Sequence, residues 1–437
     1  MGLIACKFGG SSAADGLQIR KVRSIVESDP NRRFVVVSAP GKRYDADNKI
    51  TDLLYLLKAQ TEHNAPYGQL LQVIKERFLG LEADLGVQVD IVGEFAEIEE
   101  NLKNGATADY LASRGEYLSA KMIAAFLGYD FVDTAGLVLF TAKGKFLYEE
   151  TNEALGAELA KHERAVIPGF YGTLPDGSIK TFTRGGSDIT GSLVARAARA
   201  DTYENWTDVS GFLMADPRIV DNPKAISNIS YKELRELSYM GASVLHENAI
   251  YPARLADIPI NIRNTNAPED PGTIISADDT PQKGQIITGV AGNKDFTVIG
   301  IYKNMMSNEI GFIKRILSIL EDYDIPIEHI PSGIDTVSLV IADKYLEDKL
   351  GDLIEDFEKK LGADSIELYE NMSLIATVGL GMASVHGVAA RLFNALTDAG
   401  VNIRMIDQGS SELNIIVGVE TKDFNTAIRA IYSAFIS

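Results

Sequence analysis

Cysteine is nearly absent from this 437-residue chain: Cys6 stands alone, so no internal disulfide can form. A chain without disulfides fits a reducing compartment, and the expected localisation is cytoplasmic. Cys6 sits in the short apolar run Leu3-Ile4-Ala5-Cys6, which reads as a buried strand where a thiol acts as a small hydrophobe. Long apolar runs are missing as well. None approaches the roughly 18 residues of a membrane span, and Lys7 interrupts an N-terminal stretch too short for a signal peptide, so no membrane partner is expected. Positive charge is in deficit, with 42 Lys and Arg against 61 Asp and Glu and a net charge of −19. That balance argues against general nucleic-acid binding, where a basic face is expected. The five histidines (His63, His162, His246, His329, His386) are scattered, without paired spacing or cysteine partners, so no protein-held metal centre is expected. His246-Glu247 lacks the second histidine of a metalloprotease helix, and Asp45-Ala46-Asp47-Asn48 lacks the glycine and terminal glutamate of a calcium loop. Both read as surface polar residues.

What the chain does have is enough apolar content, 46%, for packed cores, and a length that suits two to four domains of roughly 100–200 residues each. Phe34-Val35-Val36-Val37-Ser38 reads as a strand apolar on both faces, which calls for helices on both sides. Val166-Ile167-Pro168-Gly169-Phe170 reads as another, and residues 52–60, 67–79, 108–127 and 189–199 have helical spacing. Strands alternating with helices predict an α/β domain with a mainly parallel sheet to about residue 285. The polar, Pro/Gly-rich stretch from Asn264 to Gly284 reads as a hinge out of it.

The last 150 or so residues carry an internal repeat. Gly311-Phe312-Ile313-Lys314-Arg315-Ile316-Leu317 recurs 76 positions on as Gly387-Val388-Ala389-Ala390-Arg391-Leu392-Phe393. The same offset aligns Val298–Tyr302 with Leu374–Val378, Ile330 with Ile406, and Val337–Ile341 with Leu413–Val417. Each copy reads strand, helix, strand, strand, helix. The first copy gains a further strand at Ser365–Tyr369, while the second stops one strand short. Ile286–Ala291 is a strand without an obvious partner, and the reading that completes both sheets is that it pairs into the second copy.

Four clusters carry chemistry. In Lys7-Phe8-Gly9-Gly10-Ser11-Ser12 a strand runs into a lysine, two glycines and two hydroxyls. Glycines let backbone N–H groups approach an anion, and a lysine at the strand end can neutralise a transferring phosphoryl group. The stretch matches neither the P-loop nor the dinucleotide fingerprint, and a plain strand-to-helix turn also fits it. Arg184-Gly185-Gly186-Ser187-Asp188 opens a helix and offers N–H groups and a positive helix end. The competing account, a helix capped by Ser187 or Asp188, leaves the arginine and two glycines unexplained. Trp206-Thr207-Asp208-Val209-Ser210-Gly211, continuing to Ala215-Asp216-Pro217-Arg218, is compatible with a nucleotide site but also with ordinary turns. Ser113-Arg114-Gly115-Glu116 reads as opening a helix, where Glu116 either complements the helix dipole or receives a substrate ammonium.

Taken together and in this order, these clusters resemble the aspartate kinases of the amino-acid-kinase superfamily, and the C-terminal repeat resembles their paired ACT domains. The resemblance implies an amino-acid-kinase-like three-layer α/β sandwich over residues 1–285. Two interlocked βαββαβ ACT-like units would follow over 286–370 and 371–437, with 286–291 pairing into the second. The length is that of the stand-alone enzyme rather than the form fused to homoserine dehydrogenase. The implied activity is transfer of a phosphoryl group from ATP, with Mg2+, to the side-chain carboxylate of L-aspartate, opening lysine, threonine and methionine biosynthesis.

By the same resemblance Lys7 stabilises the transferring group with Gly9, Gly10 and Ser11, and Asp188 organises Lys7. Arg184 binds an aspartate carboxylate, Glu116 the ammonium, and Thr51 adds a polar contact. Thr207, Asp208, Leu213 and Arg218 line the ATP side. Leu213 stands where the family often has Tyr, and Ser243 where it often has Lys, both on the nucleotide side. The C-terminal repeats imply feedback by lysine, threonine or both in a homodimer or higher homo-oligomer. Ser307, Asn308, Gly311 and Thr336 are the candidate effector contacts, although the 306–309 loop also reads as a simple helix entry. Two other readings stay open: a kinase of another amino-acid carboxylate, such as glutamate or acetylglutamate, and an amino-acid sensor whose kinase domain is impaired.

Overall fold

The computed structural model describes residues 2–183, 185–242, 247–281 and 284–436, with Glu247 and Asn248 described by backbone alone. The chain forms two compact units. The first comprises Met1–Phe212, Ala225–Tyr231 and Val244–Asp278, and the second Leu213–Lys224, Lys232–Ser243 and Asp279–Ser437.

The first unit is built on β1 (Ile4–Phe8), β2 (Arg32–Val37), β3 (Asp130–Phe131), β4 (Ala165–Pro168), β7 (Thr202–Thr207), β8 (Asn228–Ser230), β9 (Ile260–Asn264) and β10 (Thr273–Ser276). The short hairpin of β5 (Tyr171–Thr173) and β6 (Ile179–Thr181) stands apart from that sheet. Sheet order is β3-β4-β2-β1-β7-β9-β10-β8, parallel throughout except where β10 meets β9. Helices are α1 (Gly16–Glu27), α2 (Ile50–Glu62), α3 (Gly68–Leu85), α4 (Ile91–Lys103), α5 (Ala108–Leu127), α6 (Tyr148–Leu159), α7 (Gly186–Ala197), α8 (Tyr231–Tyr239) and α9 (Glu247–Leu255). From Lys232 on, α8 falls in the second unit.

Period-two alternation along β1 organises the layers. Cys6 and Phe8 enter the core shared with α1, α3 and α5, whereas Lys7, between them, faces α7. The Cys6 thiol is fully buried, and that burial pushes its pKa well up, so it stays a neutral small side chain. Beside it Glu204 of β7 is saturated: Arg32 of β2 reaches it with Nε at 2.8 Å and Nη2 at 3.1 Å, and Trp206 Nε1 donates at 2.9 Å. The pair clamps β2 to β7 across β1.

Three expectations are corrected here. The Asn264–Gly284 stretch is not simply a hinge, because β10 within it pairs antiparallel with β9 and parallel with β8. Ser113–Glu116 does not open a helix. Helix α5 starts two turns earlier, where Thr107 accepts a hydrogen bond from the Tyr110 N–H as a cap, and it runs unbroken to Gly128. Asp47 is buried rather than a surface residue: Arg43 and Arg77 both reach it, and the hydrogen bonds from Arg43 hold its carboxyl well below the usual range.

The second unit contains one antiparallel sheet, ordered β12-β11-β13-β15-β14. Its strands are β11 (Gly289–Tyr302), β12 (Thr336–Ala342), β13 (Ser365–Val378), β14 (Met405–Asp407) and β15 (Asn414–Glu420). Its further helices are α10 (Phe312–Asp322), α11 (Leu350–Leu361), α12 (Val388–Asp398) and α13 (Phe424–Ile436). The two copies interlock through β11 and β13: Gly289–Asn293 pairs with Leu374–Val378, and Val298–Tyr302 with Ser365–Tyr369. Helices α10 and α12 start alike, each after a left-handed glycine, Gly311 and Gly387, at φ of 82° and 84°.

The repeat is not in one register throughout. Val298 pairs with Val340, whereas Leu374, its counterpart, pairs with Gly418. The equivalent of β12 therefore lies two positions later than the uniform offset predicts, after a longer turn at 408–413. A two-residue slip leaves every side chain on its original face, so the core tolerates it.

Removing the Glu204 carboxylate leaves the Arg32 guanidinium buried without its partner. Glu204→Ala is expected to cost about 3–5 kcal/mol of unfolding free energy, read from urea unfolding of the purified protein; an unchanged midpoint would show that Arg32 finds other partners.

Candidate active site

The strand order reverses at β1: the chain first builds β2 and β4 on one side, then β7 and β9 on the other. In parallel α/β sheets the crevice beyond the carboxyl ends at such a point is where ligands bind. Here it lies beyond Phe8 and Trp206, which are neighbours in register, and the Gly9 N–H donates to the Trp206 carbonyl at 3.1 Å. On the other side Ser38 N–H donates to Phe8 O at 3.2 Å and Gly41 N–H to Gly10 O at 2.8 Å. The 9–13 and 38–41 turns are thereby laid against each other. A Cβ at Gly41 would stand 2.6 Å from the Gly10 carbonyl carbon, which is why this approach needs a glycine.

Lys7 is buried at the end of β1, with Nζ 2.6 Å from Asp188 Oδ1. Asp188 lies in the first turn of α7, whose cap residue Gly185 is left-handed at φ 58° and supplies no side-chain cap. Neither Ser187 nor Asp188 caps the helix, so its first N–H groups keep their capacity for an anion. Asn205 Nδ2 donates to the same Asp188 oxygen at 2.9 Å, and Tyr203 Oη to the Asp188 backbone carbonyl at 3.2 Å. Asn205 is the residue that sequence reading missed. Its role shows only in the strand register: it is the partner of Lys7 on β7, so it faces the same side of the sheet.

Glu116, in the third turn of α5, is buried, and its Oε2 has no hydrogen-bond partner. Burial pushes its carboxyl up to about 8, against the opposing pull of the Ala39 N–H. Ala39 in turn lies against the glycine turn, its carbonyl 3.0 Å from where a Gly10 Cβ would be. Thr51, in the first turn of α2, is half-buried beside Ile50, whose side chain packs on Gly115. A buried carboxyl with an open acceptor is chemically suited to a cation such as an ammonium.

Lys7, Gly9, Gly10 and Asp188 thus meet at the carboxyl end of β1, Glu116 approaches the same turn through Ala39, Thr51 lies at the start of α2, and Ser11 is exposed on the short helix from Gly10 to Ala13. Thr207 closes β7, its Oγ1 donating to Asp208 Oδ1 at 3.2 Å, and Asp208 is exposed. Arg184 and Ser243 lie outside the described residues. Leu213 and Arg218 belong to the second unit. There Arg218 is 88% exposed in its side chain and pairs with Asp216 at 2.7 Å. Ser307, Asn308, Gly311 and Thr336 are also in the second unit. The Ser307 N–H donates to Ile334 O at 3.1 Å, which lays the 306–308 turn against the segment leading into Thr336. The N–H groups of Ser307, Asn308 and Glu309 all donate within these turns.

The family comparisons agree with this geometry. The model of the "Amino acid kinase family" matches residues 2–264, and that of the "ACT domain" matches 375–435. The fold and site therefore define an amino acid kinase joined to an ACT-type module. Aspartokinase 3 of Bacillus subtilis is 38% identical over 446 residues, covering 99% of this chain and 98% of that protein. The crystal structure of Clostridium acetobutylicum aspartate kinase is 51% identical, covers both chains fully and superposes with a TM-score of 0.93. Two E. coli aspartokinase III structures, one with aspartate and ADP and one with lysine and aspartate, match at 26% identity and a TM-score of 0.74 over both whole chains. The chain belongs to the aspartokinases. Among its described residues no helix is long and apolar enough to cross a membrane.

Proposed function

We propose that this protein transfers the γ-phosphoryl group of ATP to the side-chain carboxylate of L-aspartate, giving 4-phospho-L-aspartate and ADP. The observation that carries this is the Lys7–Asp188 pair at the switch point of the sheet, in a chain whose relatives of matching length are aspartokinases. The nucleophile is already ionised near neutral pH, its ordinary pKa being about 3.9, so no general base is required. One carboxylate oxygen forms a bond to the γ-phosphorus while the bond to the β–γ bridging oxygen breaks. Two anions must be brought together, and that work is positioning and electrostatics.

Lys7 neutralises charge on the transferring group, and Asp188, held by Asn205, fixes where the lysine points. Gly9, Gly10 and Ser11 border the phosphate path. Glu116 receives the aspartate ammonium, Arg184 a carboxylate, and Thr51 a further polar group. Thr207, Asp208, Leu213 and Arg218 serve the nucleotide. Bound with the nucleotide, Mg2+ would supply further charge neutralisation, and Asp208, exposed at the end of β7, would serve as one of the few protein carboxylates such an ion asks for.

Residues 1–285 form the catalytic part, and 286–370 with 371–437 the regulatory part. Lysine, threonine or both bind the latter and feed back, in a homodimer or larger assembly working in the cytoplasm. The product is an acyl phosphate at the head of lysine and threonine biosynthesis. Hydroxylamine traps it as a hydroxamate, so ATP, Mg2+ and L-aspartate should give colour where glutamate does not. The reverse result would sink the assignment.

Lys7→Ala should lower kcat about 100-fold or more while the KM for aspartate changes far less; steady-state kinetics decides, and an unchanged kcat removes Lys7 from the chemistry.

Because Glu116 is neutral in the free protein below about 8, binding an ammonium there must release its proton. The kcat/KM for aspartate should therefore climb with pH and level off near that value. Glu116→Gln should flatten the climb, and a profile identical in both proteins would exclude Glu116 from substrate binding.

A further inference from the structure

Residues 213–224 form a closed loop within the second unit. Its ends are tied together where the Met214 N–H donates to Lys224 O at 2.9 Å. The Met214 carbonyl then accepts from the Val290 N–H of β11 at 2.7 Å. Inside the loop the N–H groups of Ile219 and Val220 both donate to Asp216 O at 2.9 Å, making a tight turn. Met214, Ala215 and Val220 are buried, so the turn is packed rather than dangling.

Two side chains of α13 complete the attachment. Arg429 Nε donates to the Ile219 carbonyl at 2.7 Å, next to Arg218 in sequence. The Lys224 N–H donates to the Tyr432 hydroxyl at 2.8 Å, at the loop's far end. They sit one helical turn apart on α13, at i and i+3, and so present a single face to the loop. Among the described residues, the contacts of Arg218 lie within its own loop: its guanidinium pairs with Asp216 two residues back, and its N–H donates to Asp216 Oδ1 at 2.8 Å. An exposed pair of this kind is weak, so a phosphate can displace Asp216 at little cost. The backbone that aims Arg218 is what α13 holds.

We propose that Arg429 and Tyr432 are positioning residues for the nucleotide: by holding the 213–224 loop they set the direction of Arg218, and through it the affinity for ATP. This rests on the reading of Arg218 as a nucleotide contact.

The test is a double-mutant cycle on the full-length protein, with KM for ATP, KM for aspartate and kcat measured for each variant. Tyr432→Phe and Arg429→Ala should each raise the KM for ATP about 3- to 10-fold, the worth of one hydrogen bond, and leave the KM for aspartate unchanged. Arg429→Lys, which keeps a donor, should stay close to the parent. Arg218→Ala should raise the KM for ATP, and adding Tyr432→Phe to it should change nothing further, because the hydroxyl acts through that guanidinium. If Arg218→Ala leaves the KM for ATP unmoved, the reading of Arg218 falls. If Arg218→Ala acts but the α13 variants do not, or if their effects add in full, the positioning proposal falls. A general loss of folding would move all three constants together and shift the thermal midpoint, which also counts against it.

Discussion

The ion pair between Lys7 and Asp188 is the contact on which the site depends. Lys7 alone would be a buried charge at the end of a central strand, and Asp188, half-buried at the start of α7, compensates it. Together they pin the first turn of α7 to the end of β1, so that two anion-seeking features meet. One is the glycine turn after the strand, the other the uncapped helix start. Asn205 takes up a further lone pair on the carboxylate and leaves the lysine free to turn toward a phosphate. Ordinary strand alternation does the sorting: Cys6 and Phe8 are sent to the packed side, Lys7 to the reactive side.

Electrostatics elsewhere in the first unit works by saturation. Glu204 spends both oxygens on Arg32 and Trp206, and Asp47 is surrounded by Arg43 and Arg77, so these carboxylates hold structure. Glu116 differs in kind. It is as deeply buried, yet one oxygen is left without a partner and its carboxyl is pushed up to about 8. A chain of net charge −19 that buries most of its core carboxylates in finished networks, and leaves one unfinished beside a glycine turn, marks where a cation is expected.

Much of the fold was legible because it rests on short-range pattern. The β-branched run of β2, the glycines after Lys7 and the repeated Gly-apolar helix starts at Gly311 and Gly387 each specify local geometry. What stayed hidden depends on partners far away in sequence. Asn205 looks like any polar residue in a strand until β1 and β7 are in register. Ser113–Glu116 suggested a helix start because its polar cluster resembles a first turn, whereas the true start is set by Thr107 capping Tyr110. The strand β10 was concealed in a Pro/Gly-rich stretch, since at four residues it is too short to show alternation. The two-residue slip in the second repeat escaped because an even shift keeps the hydrophobic faces aligned.

The two long strands β11 and β13, each of 14 residues, belong to both repeats at once. Neither repeat is therefore a separable module. A cut anywhere in the middle of β13 would strip partners from both halves of β11 and expose a long unpaired apolar edge, the usual seed of aggregation. The duplication that made the two copies has been sewn shut. Fragments, permutations or swaps made at the boundary suggested by the repeat would break the sheet, and the smallest exchangeable piece of this regulatory half is the whole five-stranded sheet.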